Sequence, residues 1–80
     1  MNLTKDEKFL IKLHETAAAK GNPETEVDRF AVGRSLGQKD KIVDNIVRHL
    51  AQANFVKKGE GQSIYLTSQG LRLIDTLLNP

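Results

Sequence analysis

Four polar side chains in the middle of the chain have types and spacing that suit hydrogen bonding to the edges of nucleic-acid bases. They are four, three and four residues apart, so a helix would present them along one stripe: Lys41, Asn45, Arg48 and Gln52. Arginine can bind guanine O6 and N7, whereas asparagine or glutamine can bind adenine N6 and N7. The neighbouring Asp44 can accept a hydrogen bond from cytosine N4. We therefore predict base contacts from Lys41, Asp44, Asn45 and Arg48. The alternative is the solvated face of an amphipathic helix.

A second group of polar residues suits the phosphate backbone rather than the bases. Four of its members flank a Gly-x-Gly turn, and two flank an earlier turn between predicted helices. The predicted backbone contacts are Arg34, Lys39, Lys57, Lys58, Gln62 and Ser63. Such contacts position a protein on a duplex without reading its sequence. Thr25 and Arg29 are weaker candidates for the same role. The alternative for Lys57 and Lys58 is that they protect a strand edge from aggregation.

No combination of side chains in the sequence predicts catalysis or metal binding. The chain has no cysteine, which excludes disulfides and thiolate metal sites. His14 and His49 lie 35 residues apart with no third ligand near either in sequence. His14 and Glu15 do not continue into a zinc-protease motif, and with Ser35 and Asp28 no nucleophilic arrangement is recognisable. We therefore expect no enzyme activity, no cofactor and no bound metal.

Charge is unevenly distributed along the 80 residues, although the net charge is only +2. Residues 29–58 contain seven basic and two acidic residues, whereas the remainder contains five basic and eight acidic ones. A basic segment that coincides with the predicted contact residues suits a polyanionic partner. The alternative is a charge distribution that serves solubility alone.

Length and hydropathy predict one small domain over residues 1–80. No apolar run approaches the roughly 20 residues that a membrane span needs. The first nine residues are charged and contain no apolar signal segment. We therefore expect a cytoplasmic protein that does not contact membranes.

Apolar periodicity and capping residues predict the elements that position the candidate contacts. The predicted elements are helices at residues 4–20, 29–36 and 40–54, a β-hairpin with strands near residues 55–58 and 63–66, and a helix at residues 68–78. Thr4 and Glu7 form a capping box, Asp28 is a good N-cap, and Thr67 caps the last helix. We expect Gly33 where two helices approach closely, and Gly37 in a left-handed conformation that ends the second helix.

The same periodicity predicts which side chains face the core. On the third helix the inward residues are Ile42, Val43, Ile46, Val47, Leu50 and Ala53. On the hairpin they are Phe55, Ile64 and Leu66, with Val56 and Tyr65 left undecided. On the last helix they are Leu71, Ile74, Leu77 and Leu78. Asp44 and Arg48 are four residues apart, so we also expect them to pair.

The predicted order of elements resembles a winged helix-turn-helix domain. Residues 32–47 are similar to the core of the MarR-type transcription regulators, whose second helix carries apolar, small, apolar and glycine positions matched by Val32, Gly33, Leu36 and Gly37. The family's apolar positions after the turn match Val43, Ile46 and Val47, and its wing-to-helix pattern is similar to Leu66-Thr67-Ser68-Gln69-Gly70. The resemblance covers residues 28–78. It implies a mainly α fold with a small β-hairpin: a three-helix core, a wing and a C-terminal helix.

The resemblance implies double-stranded DNA binding by a transcription regulator or an accessory DNA-binding protein. The third helix would enter the major groove, and the wing would contact phosphates or the minor groove. The alternative is a winged-helix module that binds partner proteins without nucleic acid, which the modest net charge, Asp40 and Asp44 favour. Leu73 gives the last helix one leucine more than one face needs. It could form a homodimer seam or pack fully on the first helix, and the sequence leaves both open.

Overall fold

The computed structural model describes residues 2–80, in which it shows an α+β domain of four helices and three short strands. Their order is α1 (Lys5–Ala19), β1 (Val27–Asp28), α2 (Arg29–Ser35), α3 (Asp40–Gln52), β2 (Val56–Lys58), β3 (Ser63–Leu66) and α4 (Ser68–Leu78). Every predicted helix is confirmed, with ends that differ by at most two residues. None of the helices in residues 2–80 combines the length and apolar content needed to span a bilayer.

Three of the helices begin at side-chain caps that the sequence predicts. Thr4 Oγ1 accepts from the Glu7 amide at 3.1 Å, while Glu7 Oε1 accepts from the Thr4 amide at 2.8 Å, which completes the capping box. Asp28 Oδ1 accepts from the amide of the second residue of α2, and Thr67 Oγ1 accepts from the third amide of α4. Each such cap stabilises a helix by about 1 kcal/mol. Lys39, at the N-cap of α3, makes no side-chain cap bond, so α3 depends more on packing.

Two helices end in Schellman motifs, and the second of these explains why α3 is shorter than predicted. At the end of α2, the Gln38 amide donates to Gly33 O at 2.9 Å, and Gly37 adopts φ = 70° as expected. After α3, the Phe55 amide donates to the carbonyl of Leu50 at 2.9 Å, and Asn54 adopts φ = 66°. Because Asn54 is left-handed, it cannot continue the helix, which ends at Gln52 rather than at residue 54.

The sheet has three antiparallel strands in the order β1-β3-β2. The sequence predicts a two-stranded hairpin and, at residues 24–27, an extended link that could hold one pair of strand residues. Val27 pairs with Ile64, and Asp28 pairs with Ser63. Val27 is buried, and Asp28 also caps α2, so a two-residue strand joins the sheet to the start of that helix. Two residues are too few to show the alternation that identifies a strand. The third strand gives the hairpin support that a two-stranded ribbon lacks in water.

A single apolar core lies between the sheet and the helices, and α1 is its central element. Phe9, Leu10 and Leu13 of α1 are fully buried, and α1 contacts each of the other three helices as well as β1 and β3. The remaining core residues are Ala17, Val27, Val32, Val43, Ile46, Val47, Leu50, Val56, Ile64, Leu66 and Ile74. Among residues 2–80, no polar or charged residue is buried.

Several predicted core positions are wrong. Ile42 is 37% exposed, and Ala53 is also exposed, because both lie roughly 70–90° around α3 from the middle of its buried stripe. Leu78 is 52% exposed, since the buried positions of α4 lie in its first two turns. On the hairpin, Phe55 is half-buried and packs against the core, and Val56, which the sequence leaves undecided, is buried. Leu73 is half-buried and packs against the core, and Leu77 is half-buried, so neither side chain is fully buried within the domain.

Gly33 brings α2 and α3 into close contact, as the sequence predicts. A Cβ atom at this position would overlap Val43 Cγ2, and Val43 is itself fully buried. Gly70 has a similar role at the start of α4, where a Cβ would overlap the backbone carbonyl oxygen of Phe55. These contacts hold α3 against α2 and α4 against the segment that follows α3.

Candidate nucleic-acid interface

The four polar residues of α3 lie together on the side of the helix that faces away from the core. Val43, Ile46, Val47 and Leu50 occupy the buried side. On the opposite side, Lys41, Arg48 and Gln52 are exposed and Asn45 is half-buried. The helix therefore presents a continuous hydrogen-bonding face of lysine, asparagine, arginine and glutamine, which we call the α3 polar face.

The expected pairing of Asp44 with Arg48 is wrong, and each residue has another partner. Arg48 Nη2 donates to Asn45 Oδ1 at 2.8 Å, which links two members of the α3 polar face. Asp44 Oδ1 instead lies 3.5 Å from Arg29 Nη1. Arg29 is only 11% exposed, whereas Asp44 is 57% exposed. Asp44 lies on the flank of α3 that is nearest the beginning of α2, so Arg29 is the closer cation.

Arg29 connects three separate elements at this flank of α3. Its backbone amide and its side-chain Nε both donate to the carbonyl oxygen of Gln62, at 3.3 and 3.0 Å, while its guanidinium meets Asp44. Gln62 belongs to the turn of the hairpin. Arg29 thus ties the start of α2 to both the hairpin turn and α3. From the sequence, Arg29 is predicted only as a weaker candidate for phosphate contact. No local pattern indicates its partners Asp44 and Gln62, which are 15 and 33 residues away.

Glu26 holds the same turn from another direction. Its Oε1 accepts from the Glu60 amide at 3.1 Å, and Gly59 lies so close that a Cβ there would overlap the Glu26 carboxylate. Within the turn, the Ser63 amide donates to Glu60 O at 2.9 Å. The tip of the hairpin is therefore fastened to the body of the domain. No local pattern in the sequence identifies Glu26, because its contact also spans 34 residues.

The two hairpin lysines lie on opposite faces of the sheet. Lys57 pairs with Tyr65, and Lys58 pairs with Ile64, whose side chain points into the core. Because successive side chains alternate across a strand, Lys57 is on the outer face and Lys58 is on the core side, at the exposed end of β2. The sequence predicts that both lysines contact phosphates together, but the structure places them on opposite faces of the sheet.

The other predicted backbone contacts belong to the region between α2 and α3 and to the hairpin. Arg34 is exposed in the last turn of α2, and Lys39 is exposed at the start of α3. Gln62 is exposed in the turn that Arg29 binds, whereas Ser63 is half-buried in β3 opposite Asp28. The structure thus brings the turn residues near α3 through Arg29, but it leaves Ser63 less accessible.

The part of the chain from residue 2 to residue 80 contains no group of three or more His, Cys, Asp or Glu residues arranged to hold a metal ion. His49 Nδ1 lies 3.6 Å from Asp6 Oδ2, and His14 is half-buried on α1. Comparisons with protein-family models, curated proteins and solved structures found no match to this chain. Its function must therefore be inferred from the geometry and charge of its own residues.

Replacing Arg29 with methionine should loosen the hairpin turn while it preserves most of the side chain's apolar volume. The variant loses the bond to Gln62 O and the contact with Asp44, which we expect to cost about 1–2 kcal/mol of unfolding free energy. Hydrogen exchange at the amides of Gly59 and Ser63 should accelerate at least fivefold. Arg34→Met, on the exposed side of α2, is the matched control. Equal exchange rates in both variants would contradict the positioning role of Arg29.

Proposed function

We propose that this chain is a winged helix-turn-helix domain that binds double-stranded DNA, as a transcription regulator or an accessory DNA-binding protein. One observation carries the proposal. The α3 polar face is accessible, Arg48 is held by Asn45, and Arg29 fastens the hairpin to one flank of the same helix. The close contact of α2 with α3, the left-handed Gly37 and the basic excess in residues 29–58 support it.

In this proposal α3 lies in the major groove and its polar face meets the base edges. The major groove is about 12 Å wide and admits an α-helix. Lys41, Asn45 and Arg48 would contact bases, and Arg48 would exchange its bond to Asn45 for guanine O6 and N7. Asp44 would otherwise repel phosphates, but the guanidinium of Arg29 offsets its charge. Its exposed carboxylate remains able to accept from cytosine N4.

The hairpin is the proposed wing, and it would contact phosphates beside the groove. Because Glu26 and Arg29 hold its turn, little conformational freedom is lost when it docks, which lowers the entropic cost of binding. Lys58 and Gln62 are close to this turn, and Arg34 and Lys39 lie at the α2–α3 turn. Lys57 and Ser63 are also proposed backbone contacts, although one faces the outer side of the sheet and the other is half-buried.

Fluorescence anisotropy with random-sequence duplex DNA at increasing salt tests the proposal. About five phosphate contacts should give a plot of log affinity against log salt with a slope of about −4 to −5. Lys39→Ala and Lys58→Ala should each weaken binding to all sequences and reduce that slope by about 1. Lys20→Ala, just beyond α1, is the matched control and should change neither. Binding weaker than about millimolar at low salt would contradict the proposal.

The alternative function is a winged-helix module that binds a partner protein and no nucleic acid. The specific observation in its favour is that Asp40 and Asp44 are both exposed on α3, where a duplex would bring phosphates. Absence of salt-dependent DNA binding in the same titration would favour this alternative. A homodimer through α4 is compatible with either function, and Leu78 is the exposed apolar side chain that such a dimer would cover.

A further inference from the structure

A shallow groove lies on the flank of α3 opposite the one that Arg29 holds. It is formed where α1, the α2–α3 turn and the start of α3 meet, and it consists of two adjoining cavities of about 370 and 270 Å³. Both cavities are lined by Leu36 and Lys8, so they form one continuous surface. Ile42, which also lines it, is roughly 160° around α3 from Asp44. We call this surface the α1–α3 groove.

Four large apolar side chains form the floor of the α1–α3 groove: Leu3, Ile11, Leu36 and Ile42. The first three are half-buried, and Ile42 is one of two large hydrophobic residues that are exposed in the described chain, the other being Leu78. A single exposed hydrophobic residue needs no explanation, but a contiguous apolar surface rimmed by charges is typical of a protein-binding site. Ile42 is therefore available for a contact that the isolated domain does not make.

The rim of the α1–α3 groove is strongly basic. Lys5, Lys8 and Lys39 line it, and no carboxylate within residues 2–80 lies within 4.0 Å of any of these ammonium groups. Lys12 also lines the groove and pairs with Glu15 at 3.7 Å, a contact between exposed side chains that is worth little. Glu15 is the single acidic residue among the lining residues. An occupant with negative charges beside its apolar surface would complement this rim.

The floor and one polar atom favour a protein segment over a phosphate backbone. Phosphates gain nothing from the apolar floor. Gln38 lines the groove, and its Oε1 is buried without a hydrogen-bond partner. If the Gln38 side chain turns toward the groove, a protein N–H or hydroxyl group can donate to that oxygen, whereas a phosphodiester has only acceptors. A helix with an apolar stripe between acidic residues covers the floor and complements the basic rim, and a polar side chain on such a helix can donate to Gln38.

We propose that the α1–α3 groove is a docking site for an acidic amphipathic helix of a partner protein. The apolar stripe of that helix covers Ile42 and Leu36, and its carboxylates pair with Lys5, Lys8 and Lys39. This inference does not depend on DNA binding by the α3 polar face, because the central residues of the two surfaces differ. Lys39 lines the groove and is also a proposed phosphate contact, so a docked helix and a duplex would compete for it.

An NMR titration of the full chain with two synthetic 15-residue helical peptides tests the proposal. Both peptides carry the same leucine stripe, and the flanking positions are glutamate in one and lysine in the other. The glutamate peptide should saturably shift amide signals in residues 3–12 and 36–42, and it should bind at least tenfold more tightly than the lysine peptide. Equal binding of the two peptides, no saturable shift, or shifts centred on the hairpin would overturn the proposal.

Matched variants distinguish this groove from the rest of the surface. Ile42→Ser and Lys8→Glu should each weaken binding of the glutamate peptide at least fivefold. Dispersed amide spectra would show that both variants remain folded. Leu78→Ser, Lys20→Glu and Arg48→Ala should leave its affinity unchanged. Unchanged binding to Ile42→Ser would overturn the proposal. The proposal would also be overturned if duplex DNA, but neither peptide, shifted the amide signals of the groove. That result would mean that the groove lysines bind phosphates.

Discussion

Replacing Gly33 with alanine should destabilise the domain by about 1–3 kcal/mol and lower its thermal midpoint by about 5–20 °C. Alanine favours a helix over glycine by about 1 kcal/mol, so a helix without tertiary contacts would be stabilised. Here the added methyl group would overlap Val43 Cγ2, and Val43 is fully buried in a close-packed core. We therefore expect α2 and α3 to separate slightly, at a cost that exceeds the gain in propensity.

A double-mutant cycle shows whether that contact is responsible. Val43→Ala alone also destabilises the domain, because it removes buried methyl groups. In the double variant the two alanines no longer overlap, so its loss of unfolding free energy should be at least about 1 kcal/mol smaller than the sum of the single losses. Urea denaturation measures all four proteins. Strict additivity would mean that Gly33 serves some purpose other than close contact with α3.

Replacing Arg48 with alanine should reduce the affinity for a preferred duplex by roughly 5- to 150-fold, while binding to random DNA changes much less. This expectation rests on the proposed DNA binding, and the preferred duplex is first selected from a random-sequence pool. Arg48 is exposed at the centre of the α3 polar face and is oriented by Asn45. Arg48→Lys should not restore the affinity, because lysine lacks the planar pair of donors that guanine accepts.

The control for this experiment is Arg72→Ala, which removes an exposed arginine on α4. It should leave specific affinity unchanged and alter random-duplex affinity only slightly. Anisotropy with both duplexes at one fixed salt concentration separates the two effects. If Arg48→Ala lowers the affinity for both duplexes by the same factor, Arg48 contacts phosphate rather than a base, and the orientation proposed for α3 is wrong.

The structure gives the three exposed sides of α3 different environments. The polar face is open, one flank is held to the hairpin turn through Arg29 and Asp44, and the other flank borders the α1–α3 groove. Arg29 therefore has a structural consequence for the interface even though it need not touch a ligand. It neutralises Asp44 and places the turn beside the helix that would read DNA.

The helices and their caps were predictable because their causes are local. The capping box at Thr4 and the caps at Asp28 and Thr67 act over two or three residues, and apolar spacing within each helix identifies its buried face. The predicted end of α3, at residue 54, is two residues too late because the local sequence does not specify the conformation of Asn54. Asn54 tolerates a left-handed conformation more readily than most residues, but the sequence alone does not show that it adopts one.

The order of the helices, the glycine-bounded turn between α2 and α3, and the polar composition of the exposed face of α3 all follow from local patterns in the chain. Packing of the whole domain was needed to show that β1 completes the sheet, that Lys57 and Lys58 face opposite ways, and that Asp44 pairs with Arg29. The two groups of features differ in the range of the interactions that cause them. Capping bonds and helical periodicity act within about four residues, whereas strand register and the contacts of Glu26 and Arg29 join residues that are brought together only when the whole core packs.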